Sequence, residues 1–377
     1  GSFYFLNAQS GAFDPDMAYA MCCRLTIDRG ELLKLREEAL KIGGLKEEEF
    51  KRAIRGVKEE ALRLKSVGGT WTIPDETGSI GVVTINLPRI GFISAGEEGK
   101  LFDMLDELVD VSRRVLSVKR MRLEKIIAEK PFDLPVTRTY LGSFHYHFST
   151  IGLIGIPEFL ANYTRNPDLW TSYSRKNVAE AFRVLRKLLE HLHGRIKEFE
   201  AEDSIPWNIE EVPGEGASYR LALLDYRMFR EKIRSGEFFI PLQKGVPFYS
   251  NSIVPYYADI PLSERIQLEA EIQPLFNGGV MMHIFLGEPV EPTALMRFVR
   301  KITENKIVYF SITPTLTVCL KCSRSSIGVH SSCPYCGSNK VEIWSRIVGY
   351  YRPLYRWNPG KKAEFETRIH YGMGGLF

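Results

Sequence analysis

Apolar residues return every three or four positions, between charged ones, in three long stretches of the chain, and this spacing predicts amphipathic helices. One stretch is "RGELLKLREEALKIGGLKEEEFKRAIRGVKEEALRLKS" (29–66), where Gly43-Gly44 splits the run into a helical hairpin with charged faces. The second covers 97–130 and the third about 174–200. Other stretches are continuous apolar runs rather than periodic ones. "GSIGVVTINLPRIGF" (78–92) predicts a strand covered on both faces and ended by Pro88. "LGSFHYHFSTIGLIGIPEF" (141–159) reads as strand, glycine-containing loop and helix start. "EEVPGEGASYRLALLDYRMF" (210–229) is a Gly/Pro loop entering a helix; 248–276 is a strand end, a loop and a helix; "GGVMMHIFLGE" (278–288) is another strand. Strands alternating with helices predict βαβ units and a mainly parallel sheet or barrel.

The 377 residues suffice for one large domain with an appendage, or for two domains. Hydrophobic content of 44% and charged content of 25% are those of a soluble globular protein. A net charge of +4 is too small to argue for nucleic acid, although it suits a polyanionic small substrate. There is no run of 18 apolar residues and no charged-then-apolar leader, so no membrane span is expected and the cytoplasm is the default location. The chain begins Gly1-Ser2-Phe3, the look of a processed, tagged or truncated polypeptide.

Six cysteines sharpen this picture, and they fall into two clusters: Cys22-Cys23, and Cys319, Cys322, Cys333 and Cys336. An evenly scattered disulfide framework is not what such clustering suggests. "CLKC" and "CPYC" are two CxxC pairs separated by ten residues, with Gly337 directly after the second. Each pair turns tightly enough to aim both sulfurs at one point, and four thiolates suit a tetrahedral zinc. An iron–sulfur cluster and a redox dithiol are the alternatives. A closed four-thiolate site leaves no position for substrate, so its expected task is holding the local fold. Cys22 and Cys23 in "MCCRL" are either small buried hydrophobes or include a reactive thiol.

A dozen residues after the second pair, Gly349 sits among large β-favouring residues in "RIVGYYRP". Glycine in a strand usually marks a bulge or a close backbone approach. It has one further property: a glycine Cα radical is stabilised by the flanking amide nitrogen and carbonyl, and no side chain keeps it from becoming planar.

"SRIVGYYRPLYRWNPGKKAEFETRIHY" resembles the glycyl-radical loop of the anaerobic (class III) ribonucleoside-triphosphate reductases, and the cysteine module before it resembles the C-terminal zinc site of that family. The resemblance continues through "MCCRLTID", "GSIGVVTINLPRI", "HFSTIGLIG", "GEGASYRLA", "YSNSIVP" and "FNGGVMMHIFLGE", in family order and over most of the chain. It implies a partial glycyl-radical-enzyme type α/β barrel with a finger loop (1–310), a four-cysteine zinc ribbon (311–340), and a glycyl-radical loop with tail (341–377). Gly349 is implied to store the radical. Cys23, with Cys22 as its rival, is implied to become the transient thiyl radical, and Asn86 to stand beside the ribose. Cys319, Cys322, Cys333 and Cys336 are the implied zinc ligands.

The implied reaction is reduction of ribonucleoside triphosphates to 2′-deoxyribonucleoside triphosphates for DNA precursor synthesis. It requires an activating enzyme with a four-iron four-sulfur cluster and S-adenosylmethionine, and formate or a thiol system as reductant. Family members also carry an N-terminal regulatory domain and the first barrel half, for which the residues before "MCCRL" leave no room. The resemblance is therefore to the C-terminal part of the enzyme, acting as a homodimer or with a companion polypeptide. Two other functions are open: a glycyl radical lyase or dehydratase, and a zinc-ribbon binding module on an inert scaffold. His145 and His147 share a face and read as packing or as a metal or acid–base pair. "STIGLIG" can offer backbone N–H groups to a phosphate at a helix start. Glu211 and Glu215 read as solvated loop charges or as a catalytic carboxylate, and "YGMGGLF" is unassigned.

Overall fold

The β-branched and aromatic runs become strands, and the periodic stretches over 97–130 and 174–200 become helices, in the computed structural model, which describes residues 4–11, 18–21, 25–28, 78–130, 133–145 and 147–372. The described elements begin with β1 (Tyr4–Leu6), β2 (Ala18–Met21), β3 (Leu25–Asp28), β4 (Gly78–Asn86), α1 (Leu87–Ser94), α2 (Glu98–Glu129) and α3 (Pro135–Tyr140). Next come β5 (His147–Ile154), α4 (Ile156–Tyr163), α5 (Arg175–Asp203), β6 (Trp207–Glu211), α6 (Glu215–Met228), α7 (Arg230–Arg234), β7 (Leu242–Gln243), β8 (Val246–Pro247) and α8 (Leu262–Ile272). The chain continues with β9 (Met282–Leu286), α9 (Pro292–Thr303), β10 (Tyr309–Pro314), β11 (Leu316–Cys319), β12 (Ser325–Ile327), β13 (Val341–Arg346), β14 (Tyr351–Pro353) and α10 (Pro359–Thr367). The helical hairpin expected over 29–66 lies outside the described residues.

Strands β4, β5 and β6 form a parallel sheet, and β9 and β10 are parallel with β1 antiparallel on their outer edge. A parallel bridge between Glu210 and Gly279, three residues before β9, joins the two sheets into one arc. The Gly278 N–H donates to the Ile209 carbonyl at 2.8 Å, and the Glu211 N–H to the Gly279 carbonyl at 3.0 Å. The arc thus has five parallel strands in the order β4-β5-β6-β9-β10, as the βαβ alternation predicts.

Alternation along each strand gives the arc two different faces. Ile85, Ile151, Leu153 and Ile209 point outward into a core shared with Leu105 and Val109 of α2 and Leu185 and Leu189 of α5. Met282, Ile284, Phe310 and Ile312 point outward toward Phe298 and Ile302 of α9. Burying each such side chain contributes about 1.5–3 kcal/mol. The intervening positions, including Thr84, Thr150, Gly152, Asn208, His283, Ser311 and Thr313, share the inner face, which is mostly polar.

The strand expected over 78–92 is a correction. It ends at Asn86, and Pro88 opens α1 within its first turn instead of ending a strand. Proline is favoured there because its missing N–H has no helical partner to lose. The strand is also only partly covered, with Val82 exposed, so covering on both faces does not hold for its first half. Gly155 adopts φ +74°, and an added Cβ would run into the Pro88 ring, so α1 and the β5–α4 turn meet only because this residue has no side chain.

Candidate functional site

Strands β13 and β14 pair antiparallel, with Arg346 opposite Tyr351, and residues 347–350 form the turn between them. Gly349 therefore lies in a hairpin turn rather than inside a strand. It is buried while Tyr350 beside it is exposed. Among the described residues Gly349 is not one of the glycines with positive φ, so backbone conformation alone does not demand glycine there.

The turn is held from three directions. Arg346, 1% exposed, donates from Nη1 to the Gly349 carbonyl at 3.2 Å and from Nε to Thr313 Oγ1 of β10 at 3.0 Å. Arg368 donates from Nη1 to the Arg346 carbonyl at 3.1 Å and from Nη2 to the Ile347 carbonyl at 3.5 Å. Glu215, at the start of α6, accepts from the Tyr350 hydroxyl at 2.8 Å and from Arg352 Nη1 at 3.1 Å. Behind Arg368 stands Glu364, bonded at 2.8 Å and also paired with Lys361, whose Nζ donates to Asn251 Oδ1 at 2.7 Å. Burial raises the Glu364 carboxyl, but Lys361 and Arg368 outweigh it and hold the group below its ordinary value.

A second polar cluster lies at the end of β4. Asp225 of α6 has no exposure and accepts from Asn86 Nδ2, Arg89 Nε and the Tyr249 hydroxyl, each at 2.7 Å. Asn86 Oδ1 is buried and has no hydrogen-bond partner among the described residues. The amide is thus satisfied on its donor side and open on its acceptor side. Glu158 of α4, also with no exposure, accepts from the Ser250 hydroxyl at 2.7 Å, the Ser250 N–H at 3.1 Å and the Tyr257 hydroxyl at 3.2 Å. Burial pushes its carboxyl up to about 7 against those three hydrogen bonds.

The four downstream cysteines converge. Their sulfurs all lie within 4.8 Å of one another, with Cys319–Cys336 and Cys322–Cys333 both at 3.7 Å. A tetrahedron with zinc–sulfur bonds of about 2.3 Å has edges of about 3.8 Å, so the residues present fit zinc. The N–H groups of Cys322 and Lys321 point at Cys319 Sγ at 3.5 and 3.4 Å and hold its thiol low, at about 6. These cysteines are the one metal-capable cluster among the described residues. The site shares a sheet with the glycine turn, in the order β12-β11-β13-β14, with Cys319 of β11 opposite Val341 of β13.

Other sequence expectations resolve differently. Cys22 and Cys23 lie outside the described residues, as does the end of the "YGMGGLF" tail. His147 opens β5, buried, with its ring edge-on to Phe144 at 5.0 Å. No metal-capable group among the described residues includes it or His145. In "STIGLIG" the Gly155 N–H is taken by the Ser250 carbonyl at 3.0 Å, so that group is not offered to a phosphate. Glu211 is buried and Glu215 clamps the hairpin, so neither is a solvated loop charge. No role for Asp225, Thr313, Arg346, Glu364 or Arg368 was read from the sequence, although Arg346 stands close to Gly349 in it. For the four charged ones the available signal was charge within otherwise apolar segments, and Thr313 carried none.

An apolar cavity of about 670 Å3 opens between α9, the outer face of β9–β10 and the cysteine sheet, lined by Phe5, Leu286, Val290, Ile312, Leu316 and Trp344 among others. The lining is mainly apolar, with Glu288 and Arg346 its charged members, and gives a charged ligand few partners. The polar inner face of the arc offers more. No described helix is long and apolar enough to cross a membrane.

A family model described as anaerobic ribonucleoside-triphosphate reductase matches residues 1–371. The anaerobic ribonucleoside-triphosphate reductases of Salmonella typhimurium and Escherichia coli are each 22% identical over 360 residues, covering 86% of this chain and 48% of the relative. The chain thus spans about half the length of the curated relatives it matches. A solved anaerobic ribonucleotide reductase superposes with a TM-score of 0.67 at 25% identity, covering 88% of this chain and 53% of that one. The anaerobic ribonucleotide reductase from Thermotoga maritima with glycerol in the active site gives 0.63 at 24% identity, covering 85% and 52%. The mixed α/β fold is that of these reductases.

Proposed function

The chain belongs to the anaerobic ribonucleoside-triphosphate reductase family, and from that premise we propose that it is the part of such an enzyme that stores and delivers a radical for reducing ribonucleoside triphosphates. In this reading Gly349 is the storage site. An activating enzyme that carries a four-iron four-sulfur cluster and uses S-adenosylmethionine takes a hydrogen atom from its Cα. With nucleotide bound, the glycyl radical takes the hydrogen atom of the Cys23 thiol, and the thiyl radical removes the 3′ hydrogen of the ribose. The 2′ hydroxyl leaves as water. Formate or a thiol system supplies two electrons, which with two protons place a hydrogen on C2′ and regenerate the C3′ radical, and the Cys23 thiol returns hydrogen to C3′.

Asn86 is assigned to the ribose, with its open Oδ1 accepting from a sugar hydroxyl and Asp225 fixing its orientation. Cys319, Cys322, Cys333 and Cys336 are the residues that hold zinc, which supplies a fold-stabilising cross-link and no open coordination position. A companion polypeptide or a second copy completes the barrel, and the cytoplasm is the proposed location. The chemistry asks the protein for position and exclusion of solvent, since the radical performs the difficult step.

The observation that carries the reading is the seat of Gly349: a buried glycine at the hairpin turn of the sheet whose strand β11 ends in Cys319, with its carbonyl held by a buried guanidinium. Electron paramagnetic resonance of the activated protein tests it. The expected result is a doublet split by a single α-hydrogen, absent in Gly349→Ala together with turnover. Full turnover in Gly349→Ala refutes the assignment. Protection from thermal unfolding by ribonucleoside triphosphates separates this function from that of a glycyl radical lyase, which has no use for them.

A further inference from the structure

We propose that Arg346 is a positioning residue for Gly349: it fixes the glycine carbonyl against the inner face of the barrel arc, and Thr313 of β10 holds it to that task. The inference rests on the reading of Gly349 as the radical site and adds the group that sets its geometry.

Arg346 is 1% exposed, and among the described residues no carboxylate pairs with it. A buried guanidinium without a counter-charge is costly, and a hydrophobic side chain in its place would avoid that cost. Its partners among the described residues are instead the Gly349 carbonyl, the Thr313 hydroxyl and two ring faces, Tyr4 at 4.6 Å and Tyr351 at 5.2 Å from the guanidinium carbon. The rings stack on the faces of the cation, which leaves its edge donors for the hydroxyl and the carbonyl.

Thr313 is in turn anchored. Its hydroxyl lies 3.3 Å from that of Ser311, which lies 2.6 Å from His283 Nδ1. A buried polar line therefore runs across β9 and β10 from His283 through Ser311 and Thr313 to Arg346, and ends on the Gly349 carbonyl. Arg368 holds the two carbonyls just before, those of Arg346 and Ile347. Three of the four carbonyls from 346 to 349 thus receive guanidinium donors. A Cα radical shares its spin with the adjacent carbonyl oxygen. A cationic donor on that oxygen favours the delocalised, planar form and fixes the plane in which the Cα–H lies.

Arg346→Met, Arg346→Lys and Thr313→Val are compared with the parent protein by two measurements. Hydrogen–deuterium exchange on the non-activated protein reads the seat without any radical. Exchange over 347–350 is expected to quicken about tenfold in Arg346→Met, the consequence of losing one charge-assisted hydrogen bond, and less in Arg346→Lys and Thr313→Val. Unchanged exchange at those residues in Arg346→Met overturns the proposal. If that variant does not fold, Thr313→Val, nearly isosteric, carries the test, and unchanged exchange there has the same consequence. The second measurement is the paramagnetic resonance of the activated proteins. The α-hydrogen splitting is expected to shift and the radical to decay faster in Arg346→Met, with recovery toward the parent in Arg346→Lys. Identical splitting and lifetime in all of them overturn it. A parent protein that never yields a doublet removes the radical role of Gly349 alone, and the exchange comparison still decides whether Arg346 seats the turn.

Discussion

Glu158 and Glu364 are both fully buried carboxyls, and their surroundings drive them in opposite directions. Hydroxyls and one N–H surround Glu158, so burial dominates and its carboxyl rises from 4.5 to about 7. A group raised in the folded state binds its proton more tightly there than in the unfolded chain. The stability it contributes is therefore complete below pH 4.5 and lost as pH rises to about 7. Glu158→Gln cannot ionise, so its urea-derived stability is expected to be flatter over that window, by about 3 kcal/mol. Parallel curves for variant and parent would show that Glu158 does not titrate there. Glu364 is depressed by Lys361 and Arg368, so its contribution is present above pH 4.5 and lost as pH falls through its folded value. Glu364→Gln leaves two buried cations short of their partner and is expected to cost about 3–5 kcal/mol at neutral pH, the gap closing in acid. Equal urea midpoints at pH 7 would contradict this.

At the scale of elements, what the sequence made legible was local. Period-3.6 spacing located α2 and α5 to within a few residues, because a solvated face and a core face alternate along a helix whatever it packs against. The two CxxC pairs were legible because ligand spacing is itself a local property. The same reading failed at Pro88, where the helix begins at Leu87, directly after the strand ends at Asn86, and only the packing of α1 on α4 decides between them. The clamp of Glu215 on Tyr350 and Arg352 joins residues more than 130 positions apart, and no periodicity announces it. Arg346, Thr313 and Arg368 were invisible for the same reason. Within the element that was read correctly, four sulfurs at tetrahedral spacing lead to a direct expectation. The purified protein carries a single zinc per chain, and Cys322→Ser loses it, by elemental analysis. Broad visible absorption near 400 nm with stoichiometric iron would reassign the site to an iron–sulfur cluster.

For the whole molecule, the question is how strongly the metal site and the glycine turn are coupled, since they occupy opposite ends of one strand. Val341 of β13 pairs with Cys319, and Arg346 at the other end pairs with Tyr351 across the turn. Between them run roughly 17 Å of strand. Zinc removal frees the β11 end, so the sheet that presents Gly349 loses one of its two supports. The other support comes from the barrel side, where Arg346 to Thr313, Arg368 to the 346 and 347 carbonyls, and Glu215 to Tyr350 and Arg352 act without the metal. Hydrogen bonds to charged groups contribute about 1.5–3 kcal/mol each, and several of them outweigh the few ladder bonds that β11 gives β13. Stripping zinc with a chelator is therefore expected to speed deuterium exchange strongly over 316–327 and weakly over 347–350, by less than Arg346→Met does. Equal acceleration at both ends would mean that the metal, and not the barrel, holds the glycine in place. The distribution of charge argues against that outcome, because the guanidinium groups that cap the turn carbonyls are themselves anchored to β10 and α10, elements that contribute no metal ligand.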